Sequence, residues 1–311
     1  MRAWQFNEVN EPFTLVERED PKPGADEIVV DVKASGLCHS DVSFVDGTLT
    51  PLLGHKPIIL GHETAGVVSA VGSDVSEFAV GDRVGIPAVT EGPGTAVDGG
   101  FAEKVVVRAN LVVRVPEEVD FSQAAPAMDA ARTAYRALVT FGRVEAGQNV
   151  GVIGFGGLGS LGAQIAKELG ATVYVAEVNE KVWDAVDELG VGGVSKDIRD
   201  FADEGLDVIV DFAGFGTTTA SAVDAIKHGG RIVQIGLARE EATISMQQVT
   251  LKEITIVGAS NGEKSEAEEV LKLMASGNIA SKIMPITFEQ IPEYVDKLAK
   301  GEVAGRAVAI L

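Results

Sequence analysis

Along the first 120 residues, apolar and polar positions alternate over short stretches, the period-two pattern of half-buried strands. Glu27-Ile28-Val29-Val30-Asp31-Val32-Lys33 alternates around an apolar centre. Thr64-Ala65-Gly66-Val67-Val68-Ser69-Ala70-Val71-Gly72 and Gly81-Asp82-Arg83-Val84-Gly85-Ile86 follow, with glycine at their ends or bends. Gly99-Gly100-Phe101-Ala102-Glu103-Lys104-Val105-Val106-Val107 reads as a further strand. Together they predict a strongly bent, mostly antiparallel sheet or partial barrel.

Near Phe121 the period changes. Residues 121–138 are Ala-rich with apolar positions at helical spacing. Strands at 150–153, 172–176, 207–210, 231–235 and 254–257 then alternate with helices at 158–169, 180–189 and 217–227. Strands separated by helices of this length imply βαβ units and a doubly wound parallel sheet, so the fold class is α/β. After Asn261 a helix (266–275), a strand (283–286), a helix (291–300) and a last strand (307–311) predict a tail that returns to the first domain. The expected organisation is a discontinuous catalytic domain, 1–130 and 262–311, around a nucleotide-binding domain, 131–261.

Composition narrows the partners. A formal net charge of −20 repels a phosphate backbone, so no nucleic acid is expected. The acidic residues are dispersed and read as solvating charge. No apolar run approaches the ~18 residues of a membrane span, and the N-terminus shows no apolar signal core, so a cytoplasmic location is expected. The single cysteine, Cys38, forbids an internal disulfide or a four-thiolate zinc site, and leaves a mixed metal site or a free thiol.

Two constellations carry chemistry. Gly154-Phe155-Gly156-Gly157-Leu158-Gly159 follows a predicted strand and opens a predicted helix, with Glu177 ending the next strand. That context makes the glycines a cradle for a pyrophosphate at a helix N-terminus, and Glu177 an acceptor for ribose hydroxyls. No arginine directly follows Glu177 to take a 2′-phosphate, which favours NAD over NADP. The second is Gly36-Leu37-Cys38-His39-Ser40-Asp41 with Gly61-His62-Glu63. Taken singly, Cys38 and His62 read as a buried thiol and a core histidine; with carboxylates beside them they suit a divalent zinc.

These segments, with Gly81-Asp82-Arg83-Val84, Asp98-Gly99-Gly100-Phe101-Ala102-Glu103, Thr133-Ala134-Tyr135 and the closing Gly305-Arg306, resemble the zinc-dependent alcohol dehydrogenases of the medium-chain dehydrogenase/reductase superfamily over essentially the whole chain. The resemblance implies a GroES-like catalytic domain and a Rossmann domain. It implies Cys38, His62 and Asp129 as ligands of a catalytic zinc, with a helix N-cap as the alternative role for Asp129. Glu63 matches a residue that approaches the metal transiently. Ser40 matches the hydroxyl that relays the alcohol proton, and Asp41 the carboxylate that orients the ligand histidine. His39 and Arg306 match contacts to the pyrophosphate, and Thr133 a contact to the nicotinamide. Leu158, Ala213, Ile235 and Leu237 are expected to line the cofactor cleft.

The chain departs from the family in two places. Ser43 stands where many members carry a histidine of the proton relay. Residues 88–98 hold no cysteine where the family often carries a lobe binding a structural zinc, so one zinc per chain is expected. Val45 and Ala88 stand where small-alcohol members often have bulky aromatics, which points toward medium-chain, branched or aromatic alcohols. The implied reaction is reversible hydride transfer between a small-molecule alcohol and NAD, in a homodimer or homotetramer that pairs through the edge strand at 254–257. The rival readings are a zinc-independent quinone or enone reductase using NAD(P)H, and a nucleotide-binding protein without catalysis.

Overall fold

The computed structural model describes residues 1–311, which form two compact units: Met1–Arg132 with Gly262–Leu311, and Thr133–Asn261. In the first unit a seven-stranded, mostly antiparallel sheet is built on the long strand Glu27–Gly36. That strand pairs antiparallel with Glu63–Val71, Lys104–Arg108 and the C-terminal strand Arg306–Ile310. The register with Glu63–Val71 shifts between Val29 and Val30 and between Val32 and Ala34, the irregularities that bend such a sheet. A small second sheet joins Arg2–Phe6, Thr14–Glu17 and Ile58–Ile59. One core fills the bend with Ile28, Val30, Val68, Val84 and Val107. Another gathers Phe6, Leu37, Ile58, Phe101 and Phe288 with Ile291 and Val295 of the helix Ile291–Ala299. The tail therefore lies within the first unit.

The predicted strand over 99–107 begins only at Lys104. Gly99, Gly100 and Phe101 instead give their N–H groups to the carbonyls of Ile59, Gly61 and Leu60, which holds that stretch against the segment preceding His62. The Ala-rich helix is present, but its register changes: Phe121–Pro126 is α-helical, Ala127–Ala131 widens to a π turn, Arg132–Tyr135 is α-helical and Arg136–Phe141 is π again. Pro126 lacks an N–H and crowds the preceding turn, which loosens the ladder where the first π turn begins.

The second unit carries a six-stranded parallel sheet in the order Gly193–Ser195, Thr172–Ala176, Asn149–Ile153, Val208–Asp211, Arg231–Gln234, Thr255–Gly258. The order reverses at Asn149–Ile153, so its C-terminal end is the topological switch point where such sheets bind ligands. Val150 and Val152 are fully buried there, as expected of a strand covered on both faces. No helix is long and apolar enough to cross a membrane.

Candidate metal centre and dinucleotide loop

The register of the first sheet brings separate segments to one end of it. Gly36 pairs with Glu63, and Val308 pairs with Gly36, so Cys38, His62 and Arg306 all leave the sheet at the same place. Cys38 caps the seven-residue helix His39–Val45 and donates its backbone N–H to Asp41 Oδ2 at 2.9 Å. Asp41 is fully buried, and its other oxygen lies 3.3 Å from His62 Nδ1. His62 Nε2 on the far side of the ring is 3.6 Å from Asp129 Oδ2. Phe44 meets the imidazole edge-on, with centroids 6.5 Å apart. Gly61 holds φ +94°, and a Cβ there would lie 2.6 Å from the Phe101 nitrogen, so only glycine fits immediately before His62 and the strand that begins at Glu63.

Asp129 sits in the middle of the π turn, so the N-cap alternative is excluded. The helix before it packs on both central strands, which carries Asp129 Oδ2 to 3.5 Å from Cys38 Sγ. The donor atoms of Cys38, His62, Glu63 and Asp129 lie within 4.8 Å of one another, and all four residues are buried. Arg306 takes up Glu63, with Nε donating to Oε2 at 3.0 Å and Nη2 to Oε1, and stands 3.8 Å from Asp129 Oδ2. That leaves one thiol, one imidazole and one carboxylate converging. Such a set, with two anionic donors and three of the four positions of a tetrahedral site, fits a catalytic zinc.

The charges are strongly coupled. Burial pulls the His62 pKa down, but Asp41, Asp129 and Cys38 outweigh it and hold the imidazole well above its usual value. Burial likewise raises the Asp129 carboxyl, and His62, Arg132 and Cys38 more than reverse this, leaving it below the ordinary aspartate range. Half-buried Ser40 places Oγ 3.7 Å from Cys38 Sγ. His39 is exposed at the first position of its helix.

In the second unit the strand Asn149–Ile153 runs through the glycine loop into the helix Gly159–Glu168. A Cβ on Gly159 would overlap the Gly154 carbonyl, whereas one on Gly156 would meet nothing within 4 Å. The loop is thus tight behind and open in front, the shape an approaching pyrophosphate needs. Gly157 and Leu158 are half-buried in it. Glu177 accepts the Phe155 N–H at 2.6 Å and the Asn179 N–H at 2.7 Å, so its carboxylate ties the loop to the end of the next strand. Ala213 and Ile235 are half-buried beyond the ends of neighbouring strands, and Leu237 is 81% exposed. Thr133 is buried on the helical segment Arg132–Tyr135.

Two further residues organise these places and escape motif reading. Asp211, fully buried, accepts from the N–H groups of Ala213 and Gly214 and the hydroxyls of Thr218 and Thr219 at 2.8–3.0 Å. Arg132, also fully buried, donates to the Ala88 carbonyl. The available signals were a carboxylate closing an apolar strand and a cation inside an Ala-rich apolar run.

The zinc-binding dehydrogenase family model matches residues 157–276, and the alcohol dehydrogenase GroES-like domain model matches residues 24–117. An alcohol dehydrogenase of Geobacillus stearothermophilus is 31% identical over 335 residues, covering 99% of this chain and 99% of its own. The crystal structure of the alcohol dehydrogenase from the hyperthermophilic archaeon Aeropyrum pernix superposes with TM-score 0.89 at 28% identity over 100% of both chains. Acetophenone reductase from Geotrichum candidum, solved in complex with NAD, gives 0.90 at 26% identity over 100% of this chain and 97% of its own.

Proposed function

Since the chain belongs to the zinc-binding alcohol dehydrogenase family and is an oxidoreductase acting on alcohols and their carbonyl counterparts, we propose that it is an NAD-dependent enzyme with one zinc per chain, held by Cys38, His62 and Asp129. The observation that carries this reading is the buried convergence of those three donors. Zinc held there would supply Lewis acidity toward the alcohol or carbonyl oxygen, and a bound nicotinamide would supply the hydride chemistry.

The chain's own residues prepare the site. Asp41 stands behind the His62 ring and fixes which nitrogen faces the ligand set. Ser40 is the hydroxyl that holds the substrate proton and passes it outward. Arg306 keeps Glu63 engaged, so Glu63 serves as a reserve carboxylate rather than a resting ligand. His39 and Arg306 are the proposed contacts to the pyrophosphate; desolvation and the Arg306 charge hold the His39 pKa below its usual value, so Arg306 is the cation of the two. Thr133 is the proposed contact to the nicotinamide, and Leu158, Ala213, Ile235 and Leu237 are the proposed lining of the cofactor cleft.

NAD is favoured over NADP by Glu177 and by the charges around it. A cavity of about 390 Å³ beside Ala176 and Val178 carries two cations, Lys196 and Arg199. Lys196 pairs with Glu180 and Arg199 with Asp197, so neither brings uncompensated positive charge for a 2′-phosphate. Small side chains at Val45 and Ala88 favour medium-chain, branched or aromatic substrates, and the Geotrichum relative is named for an aromatic ketone. For assembly, the strand Thr255–Gly258 pairs on one side only and is mostly exposed, with Ile256 39% exposed. An unpaired apolar edge of this kind supports a homodimer or homotetramer. A cytoplasmic location fits a lone thiol kept reduced as a ligand.

The test is initial-rate oxidation of ethanol, 1-hexanol, 1-phenylethanol and cinnamyl alcohol by zinc-loaded protein with NAD or NADP. The expected result is NAD-dependent turnover, with ethanol the poorest substrate. No alcohol turnover, together with NAD(P)H-driven reduction of enones, overturns the reading. Sedimentation of the wild type against Ile256→Asp tests the edge: the variant should lose the oligomer, and a monomeric wild type refutes the pairing.

A further inference from the structure

We infer that Arg132 is a positioning residue for the metal centre: its buried guanidinium locks the π turn bearing Asp129 against the loop that begins at Ala88. The inference rests on the reading of Cys38, His62 and Asp129 as metal ligands. Ala88 is tied to that helical run twice. Its N–H donates to the Met128 carbonyl at 3.0 Å, and its own carbonyl accepts from Arg132 Nη2. The two ties bracket Asp129, one residue before it and three after. The strand leading to Ala88 is equally tight, since a Cβ on Gly85 would lie 2.5 Å from Met128 Sδ. On its other side the Arg132 stem is gripped by a close approach. A Cβ on Gly262 would lie 2.5 Å from Arg132 Cγ and 3.0 Å from Oε2 of buried Glu266. A side chain so held has little freedom, and neither has the turn it anchors.

Position 132 is otherwise suited to an apolar residue: it is 0% exposed and its neighbours Ala130, Ala131 and Ala134 are also 0% exposed. Burying a guanidinium there carries a desolvation cost that a hydrophobic residue of similar size avoids. A π turn, with its looser ladder, offers less intrinsic rigidity than an α-helix, so a ligand carried on it needs an external brace. Arg132 also lies among the charges that keep the Asp129 carboxyl below its usual range, which places it electrostatically next to the ligand.

A purely electrostatic role and a positioning role give opposite signs. Removing a cation near a metal site strengthens metal binding if charge alone matters. It weakens binding if the cation holds a ligand in place. The test uses Co²⁺ bound by the full-length wild type, Arg132→Met and Arg132→Lys, with affinity from chelator competition, the visible ligand-field spectrum, and thermal unfolding of the metal-free proteins. Arg132→Met should bind Co²⁺ about 10- to 100-fold more weakly, the range for losing a partner that orients a ligand, with an altered visible spectrum. Arg132→Lys, which keeps the charge and loses the planar fork, should fall between Arg132→Met and the wild type. Should Arg132→Met fail to fold, the lysine variant alone decides, by its affinity and spectrum. Wild-type or tighter Co²⁺ binding with an unchanged spectrum in either folded variant overturns the inference. A wild type that binds no Co²⁺, or a Cys38→Ser variant that binds it normally, instead overturns the ligand reading beneath it.

Discussion

Glu177→Gln tests the proposal that the Glu177 carboxylate reads the cofactor ribose. The carboxylate accepts two backbone N–H groups, from Phe155 at 2.6 Å and Asn179 at 2.7 Å, and retains lone pairs for the ribose hydroxyls. Glutamine keeps the shape but turns one acceptor into a donor, facing an N–H or a hydroxyl it can no longer receive. Hydrogen bonds to a charged group contribute about 1.5–3 kcal/mol. Losing one such bond weakens NADH binding roughly 10- to 150-fold at about 1.4 kcal/mol per decade. For NADPH the sign reverses. Two unit charges about 4 Å apart repel by about 4 kcal/mol at an effective dielectric of 20. Half-exposure of Glu177 reduces that figure by solvent screening, to about 2 kcal/mol. The NADH-to-NADPH affinity ratio should therefore fall by at least about two orders of magnitude. Fluorescence titration reads it directly, because Trp183 Nε1 donates to the Glu177 carbonyl at 2.9 Å and places the indole at the site. An unchanged ratio in a folded variant refutes Glu177 as the ribose reader.

Other outcomes follow from the same geometry. Asp211→Ala orphans two backbone N–H groups and the Thr218 hydroxyl, while Thr219 keeps Gln234 Oε1 as an acceptor, and should cost about 3 kcal/mol or more in denaturant unfolding, whereas Asp211→Asn, which still accepts from the N–H pair, should cost about 1 kcal/mol; equal losses refute the network. Zinc uptake should weaken as pH falls below the raised His62 pKa, because the metal must displace a proton from the imidazole. The metal-free protein should show the opposite slope: a raised histidine pKa contributes stability that is full below the unfolded value of about 6.5 and is lost as pH rises through the folded one. Calorimetry and metal titration across pH check both, and parallel slopes contradict the charge assignment. Phe101→Ala, which empties a fully buried site beside Gly61, should cost about 3–5 kcal/mol, read by thermal unfolding.

Legibility in the chain followed period and length. The helix expected over 158–169 is Gly159–Glu168, and five of the six parallel strands lie within a residue or two of their predicted places, because buried strands and amphipathic helices carry long patterns; the sixth, Gly193–Ser195, is three residues long and leaves no alternation to read. The two strands Arg2–Phe6 and Thr14–Glu17 leave little pattern; they are short, and Thr14–Glu17 is an exposed edge whose polar residues hide the alternation. The helix His39–Val45 was hidden by its brevity and by the dense run of polar residues that the site requires. The late start of Lys104–Arg108 reflects tertiary hydrogen bonds from Gly99 to Phe101, which no local pattern encodes. The π turn around Asp129 is equally invisible, since its cause lies in Pro126 and in packing rather than in apolar spacing. The spatial meeting of Cys38, His62 and Asp129 depends on sheet register over 91 residues of chain, which only the three-dimensional structure displays. The pairing of Arg306 with Glu63, 243 residues apart, is of the same kind.

One buried centre, Cys38–His62–Asp129, is proposed to hold one zinc. Elemental analysis of protein purified without chelator, beside Cys38→Ser prepared in parallel, tests it most directly. Wild-type protein should carry about one zinc per chain, and the variant none, while still binding NADH. A wild type free of zinc that nevertheless oxidises alcohols, or a Cys38→Ser protein with undiminished zinc, would contradict it.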